Sequence, residues 1–222
     1  NNLTSLINTI YFKSEWLNVF DLPGKNDVFT NKDGTPAETY FMHSIDHYNY
    51  YENGDFQMLE MKYYGADMSM LLFLPRTVGG QIGAEQMSLA LSQRKPALVN
   101  VKLPKFKAES KRIDLIEMMR ALGVHDAFRE DCQGFNDTMV ENCGMALSIL
   151  SATQSVSIEV NEEGTEATAE TIIAVGPAGS GGTEPVIMQF HAARPFTYLI
   201  RDNTNETVLF IGEYRFANPA FQ

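Results

Sequence analysis

Hydrophobic and polar positions along this chain recur mostly with the two-residue period of β-strands, and two short stretches carry a helical period instead. Leu3-Thr-Ser-Leu-Ile-Asn-Thr-Ile-Tyr-Phe-Lys13 is rich in β-branched and aromatic residues and reads as a strand with Asn8 as its polar intruder. Pro23, Gly24, Asp33, Gly34 and Pro36 mark a long connection, after which the aromatic-dense stretch 39–51 predicts a further strand. Asn53-Gly54 separates it from a strand over 56–63, a hairpin signal resting on the positive φ that both turn residues tolerate. Gly65-Ala-Asp67 makes the next turn, before a strand over 68–74. Met87, Leu89 and Leu91 outline a helix over 84–93, and 97–104 reads as a strand. Ile113, Leu115, Ile116, Met119 and Leu122 recur at helical spacing and precede Gly123, which predicts a helix closed by a left-handed cap. Strands follow over 146–160, 186–190, 196–200 and 208–211, the last two flanking Asp202-Asn-Thr-Asn205 as a hairpin. The pattern is that of an α+β domain built on antiparallel sheets, with few helices and no internal repeat.

One segment between strands lacks the side chains of a core. From Asn161 to Thr171 no large apolar residue occurs, and residues 165–171 alternate with period two. Thr165, Ala167, Ala169 and Thr171 fall on one side, and Glu166, Thr168 and Glu170 on the other. A strand slipped between existing strands needs this pattern, because small inward groups fit a preformed core while carboxylates stay in water. Gly164 precedes it as a pivot without a Cβ. Gly176-Pro-Ala-Gly-Ser-Gly-Gly-Thr-Glu-Pro185 then forms turns and reads as protease-accessible bait or as linker.

Composition narrows the function classes. A net charge of −11 opposes binding to nucleic acid, anionic membranes and heparin-type polyanions. The longest apolar run, 68–75, is interrupted by Ser69, stops at a proline and is far short of the roughly 18 residues a membrane helix requires. Cys132 and Cys143 are too few for a disulfide framework, and pairing or free thiols both stay open. His43 and His47 have the spacing of a helical metal pair but lie in a strand region, so no metal or other cofactor is expected. No GxSxG, HExxH or paired nucleophile and base appears, which disfavours a hydrolase. Triplets at Asn2-Leu-Thr4, Asn136-Asp-Thr138 and Asn205-Glu-Thr207 suit a secreted glycoprotein, with a cytoplasmic location as the alternative.

Several blocks, in order along the chain, resemble the serpin family. Asn8-Thr-Ile-Tyr-Phe-Lys-Ser-Glu-Trp16 with Phe20 is similar to the third strand of that family's main sheet and the tryptophan at its top. Met61-Lys-Tyr-Tyr-Gly-Ala-Asp-Met-Ser-Met70, Leu74-Pro75, Leu103-Pro-Lys-Phe106 and Leu122-Gly-Val-His-Asp-Ala-Phe128 continue the match. Ile158-Glu-Val-Asn-Glu-Glu-Gly-Thr-Glu-Ala167 looks like the hinge, joined downstream by Arg194-Pro-Phe196 and Leu209-Phe-Ile-Gly212. The resemblance makes Glu162, Glu163, Gly164, Thr165, Glu166, Ala167, Thr168 and Ala169 hinge residues, and 161–185 the hinge and mobile reactive-centre loop of a single domain over 1–222. It implies a suicide-substrate inhibitor of a target protease: the enzyme forms an acyl bond with the loop, which then inserts as a strand. Loop insertion of this kind is an established case of strand addition.

The same resemblance assigns Asn8, Trp16 and Gln154 to the structural shutter and breach, with Asn8 as a buried amide and Trp16 as packing. Gln154-Ser155 stands where the family commonly has His-Lys, so the hydrogen-bond network there departs from the usual one. The family's spacing from Glu162 puts the reactive bond between Ala178 and Gly179, and the extra Gly and Ser residues open the window from Val175 to Gly182. No Lys or Arg occurs from Gly164 to Ala193, which points to elastase-like or subtilisin-like targets rather than trypsin-like ones. The alternative is a non-inhibitory serpin serving as carrier, storage or chaperone-like binding protein; uncharged Thr165, Ala167 and Ala169 favour the inhibitor, because insertion buries no charge. Serpins are longer than this chain, which is therefore expected to be a C-terminal part whose partner is the remaining N-terminal half.

Overall fold

Ladder pairing, more than helix packing, organises the protein. The structure, a computed structural model, describes residues 3–12, 14–128, 148–163 and 186–217. Cys132, Cys143, Asn2, Asn136, Gly164–Ala169, Ala178 and Gly179 lie outside the described residues. The chain forms two compact units, residues 1–12 with 108–158 and residues 13–107 with 159–222.

The first unit holds a three-stranded sheet in the order β1 (Leu3–Phe12), β8 (Ser148–Val160), β7 (Phe106–Asp114). β1 and β8 run parallel, with Asn8 opposite Gln154 and Phe12 opposite Ile158. The intervening helix α2 (Ile116–Ala121) is shorter than its apolar spacing predicts. Ile113 belongs to β7 instead, and Asp114 Oδ1 accepts the Ile116 amide at 2.9 Å just ahead of the helix. Its end follows expectation. Gly123 has φ +89°, its amide reaches the Arg120 carbonyl at 3.0 Å, and the Val124 amide reaches that of Met119 at 2.9 Å. These paired bonds close a helix through a left-handed residue that only glycine adopts without strain.

The second unit holds an eight-stranded sheet. Its strands are β2 (Leu22–Thr30), β3 (Pro36–Glu52), β4 (Phe56–Lys62), β5 (Met68–Pro75), β6 (Lys95–Pro104), β9 (Met188–His191), β10 (Phe196–Asp202) and β11 (Thr207–Tyr214). The order is β11-β10-β5-β4-β3-β6-β9, with β2 also on β3. All these pairs are antiparallel except β6 with β9, so the antiparallel expectation holds in this sheet but for its β9 edge. Helix α1 (Ala84–Gln93) covers one end of a face, where Ala90, Met87 and Leu91 pack on Phe56, Met58, Leu71, Phe73 and Leu199. On the same β4 face lies Glu60, its side chain 1% exposed. Burial alone raises a carboxylate's pKa, but donors from Asn49, Arg94 and Ser69 outweigh it and hold Glu60 below its ordinary value.

Two sequence expectations are corrected in this unit. Pro23 and Gly24 do not open a connection; they form an irregularity within β2, between Leu22 opposite His43 and Lys25 opposite Phe41. A proline is tolerated there because a bulge needs no ladder donor at that position. The Asn53 turn does join β3 to β4, yet neither Asn53 nor Gly54 has positive φ. Asn53 Oδ1 instead accepts the amides of Asp55 and Phe56, both at 2.9 Å, so side-chain bonding shapes this turn.

Candidate functional site

The segment preceding the alternating run 165–171 is held by three successive carbonyls. Trp16 Nε1 donates to the Asn161 carbonyl at 3.0 Å, the Phe20 amide to that of Glu162 at 3.0 Å, and the Trp16 amide to that of Glu163 at 3.1 Å. Every backbone acceptor of 161–163 is thereby satisfied by one short stretch, residues 16–20, that follows β1. Trp16 is itself fixed: it is 3% exposed, forms a bridge with Tyr63 and stacks on its ring at 4.6 Å and 14°. Burial pushes the Tyr63 phenol well above its ordinary range and keeps the ring neutral. Lys105 Nζ meets Glu162 Oε2 at 3.0 Å. The Glu163 amide turns back to Asn161 Oδ1 at 3.2 Å.

The chain beyond 185 is anchored in the same unit. Strand β9 pairs parallel with β6 from Val99 opposite Met188 to Lys102 opposite His191. Gln57 Nε2 donates to the Gln189 carbonyl at 2.6 Å, and the Thr30 amide to that of Ala193 at 2.8 Å. Arg194 Nε donates to the Pro75 carbonyl. His191 is half-buried; burial lowers its pKa, partly offset by Asp27 at 3.9 Å. The described residues on either side of 164–185 are thus both held within the second unit.

The sequence-derived site residues divide accordingly. Trp16, Glu162 and Glu163 come together in the second unit, and the indole does more than pack, since its N–H holds the Asn161 carbonyl. Asn8 and Gln154 face one another in the β1–β8 register of the first unit. Asn8, expected as a buried amide, is exposed. Its neighbours Leu6 and Ile7 are 49% and 78% exposed, so around Asn8 both faces of β1 are open among the described residues. His43 Nε2 lies 2.8 Å from Asn100 Oδ1, and His47 stands apart beside Asp46 at 3.9 Å. Lys105 and Tyr63 carry roles that sequence reasoning did not assign. Both fell within blocks noted for their wording, but only folding shows their partners.

A family model described as serpin (serine protease inhibitor) matches residues 1–219, and the chain belongs to the serpins. Serpin-Z1B of Triticum aestivum is 33% identical over 96% of this chain and 56% of its own length. A serine protease inhibitor of Cyanea capillata is 32% identical over 97% of this chain and 57% of its own. The crystal structure of a thermophilic serpin, tengpin, in its native state superposes with a TM-score of 0.76 at 28% identity, covering 95% of this chain and 55% of that one. The chain therefore spans little more than half the length of these relatives, and its fold is serpin-like, mostly sheet with few helices.

Proposed function

We propose that this chain supplies the hinge, reactive loop and receiving strands of a suicide-substrate protease inhibitor whose loop, once cut, enters the sheet between β1 and β8. The observation that carries this reading is the triple carbonyl anchor at 161–163, which stands at the start of a run alternating small and polar side chains. A chain that leaves β8 and reverses there runs antiparallel to β8, and hence also to β1, because those two are parallel. Insertion opens one parallel ladder of ten register pairs and forms two antiparallel ladders in its place. With about ten residues inserted at a net ~0.5–1.5 kcal/mol per hydrogen bond, the gain is on the order of 10 kcal/mol. Thr165, Ala167 and Ala169 would then face inward without burying charge.

Under this reading the target is a protease preferring small or apolar residues, elastase-like or subtilisin-like, cutting at Ala178–Gly179. It forms a covalent acyl complex with the loop, and the remaining N-terminal portion of the serpin is the second partner. Heparin accompanies native protease nexin-1 in its crystal structure, whereas the charge of −11 here opposes such a polyanion. Extracellular action fits the glycosylation triplets.

The test is incubation of the complete serpin with a protease panel, scored by a denaturant-stable covalent band and by mass spectrometry of the cut loop. The unsubstituted protein should form that band, and Thr165→Arg should be cut without forming it, because insertion would bury a cation. A covalent complex that survives Thr165→Arg sinks the mechanism, and clean digestion of the unsubstituted protein favours a non-inhibitory carrier.

A further inference from the structure

We propose that Asn205 is an acceptor for an N-linked glycan, presented at the tip of the β10–β11 hairpin. Asn205-Glu206-Thr207 has the acceptor pattern, with no proline in the middle. Strand β10 ends at Asp202 and β11 begins at Thr207, so Asn205 occupies the turn between them, and both Asn205 and Thr207 are exposed. Asp202 folds this tip: its Oδ1 accepts the amides of Thr204 at 2.9 Å and Asn205 at 3.4 Å. The Asn205 side-chain amide first, and these backbone amides after it, hold the Asp202 carboxyl below its ordinary pKa, so it stays an acceptor.

The side-chain geometry is compatible with modification. Asn205 Nδ2 donates to Asp202 Oδ2 at 2.9 Å. A glycosylated amide nitrogen keeps one N–H, so that bond can persist when the sugar replaces the other hydrogen. Thr207 Oγ1 donates to the Asn205 carbonyl at 3.2 Å, which keeps the hydroxyl beside the acceptor residue. Asn203 in the same turn provides an internal contrast. It is half-buried, its Nδ2 donates to Ser69 Oγ at 2.8 Å, and the residue two positions on is Asn205 rather than Ser or Thr. In the transfer, Asn205 Nδ2 bonds to the anomeric carbon of an oligosaccharide carried on a lipid pyrophosphate. The anomeric carbon–oxygen bond breaks, the lipid pyrophosphate leaves and one amide proton is released.

The experiment is secretion of the protein from a eukaryotic cell line followed by trypsin digestion and mass spectrometry. Arg201 and Arg215 bound a single peptide, 202–215, that holds both Asn203 and Asn205. The peptide should carry carbohydrate, and enzymatic removal of the glycan should convert Asn205, not Asn203, to aspartate. Occupancy should persist in Thr207→Ser and fall to background in Thr207→Ala and Asn205→Gln. Thr207→Ala leaves the Asn205–Asp202 bond intact, so it carries the test even if Asn205→Gln is poorly secreted. Peptide 202–215 wholly at its unmodified mass in the secreted protein, or carbohydrate confined to peptides holding Asn2 or Asn136, overturns the proposal.

Discussion

Trp16 shows how one side chain can fix a backbone segment that its own sequence leaves undetermined. Its indole N–H and backbone N–H hold two carbonyls two residues apart, and the Tyr63 ring beneath prevents the indole from turning away. The Lys105–Glu162 pair is secondary, since both side chains are partly exposed and such pairs contribute at most about 1 kcal/mol. Trp16→Phe is the informative change because it keeps an aromatic ring on Tyr63 while removing the N–H donor together with the pyrrole ring. Leaving the Asn161 carbonyl without that partner costs about 1–3 kcal/mol. The amides of residues 16 and 20, which donate to Glu163 and Glu162, should then exchange with solvent about five- to 160-fold faster. Unchanged protection at those amides would show that the indole donor does not hold the segment. Nothing in the sequence disclosed that Trp16 reaches Asn161, 145 residues away, although the wording around both residues marked them as related to one family.

Individual strands were legible where side chains alternate and obscure where backbone approach decides the geometry. Helix α1 and the strands from β3 to β6 appear close to where the hydrophobic pattern puts them. Strand β7 was missed because Lys107, Glu109 and Ser110 make it read as polar surface, and it ends the β1-β8-β7 order, where edge strands commonly carry charge. Gly24 was misread for a different reason. A Cβ there would strike the Tyr40 ring and the Phe41 carbonyl oxygen, so glycine is needed for a close approach inside β2 rather than for a turn. Gly24→Ala should cost about 1–3 kcal/mol, lowering the thermal midpoint by about 2–4 °C per kcal/mol. Gly54→Ala is the control: its Cβ meets nothing within 4 Å and its φ is not positive, so the midpoint should barely move. A drop at Gly54 equal to that at Gly24 would show that close approach is not what demands glycine in β2.

For the molecule as a whole, the parallel β1–β8 ladder sets the direction of any gain from insertion. Two strands pointing the same way accept between them a third that runs against both, and this replaces one ladder with two. Under the proposed mechanism, a loop whose flanks are tethered at 161–163 and again at 188–194 would insert only after cleavage, with the starting state kept by a kinetic barrier. Cutting the loop of the complete serpin with a non-target protease should therefore raise its thermal midpoint. A gain on the order of 10 kcal/mol corresponds to a shift of roughly 20–40 °C for a domain of 150–250 residues and somewhat less for a larger one. Calorimetry of intact and nicked protein reads this directly, and identical midpoints would mean that the cut segment stays outside the sheet.

By itself the sequence determined what depends on neighbours along the chain: the strand periods, helix α1, the glycine cap at Gly123 and the order of blocks that marks a serpin. Side-chain periodicity encodes which face of an element is apolar, and a helix cap is completed within one turn. Tertiary structure alone decided the anchor at 161–163, the exposure of Asn8 and the irregularity at Pro23-Gly24. Each of these depends on other segments of the chain, through a donor, the packing around a strand or a carbonyl at close range. A one-dimensional pattern records what a residue prefers to meet, and only packing determines what it meets.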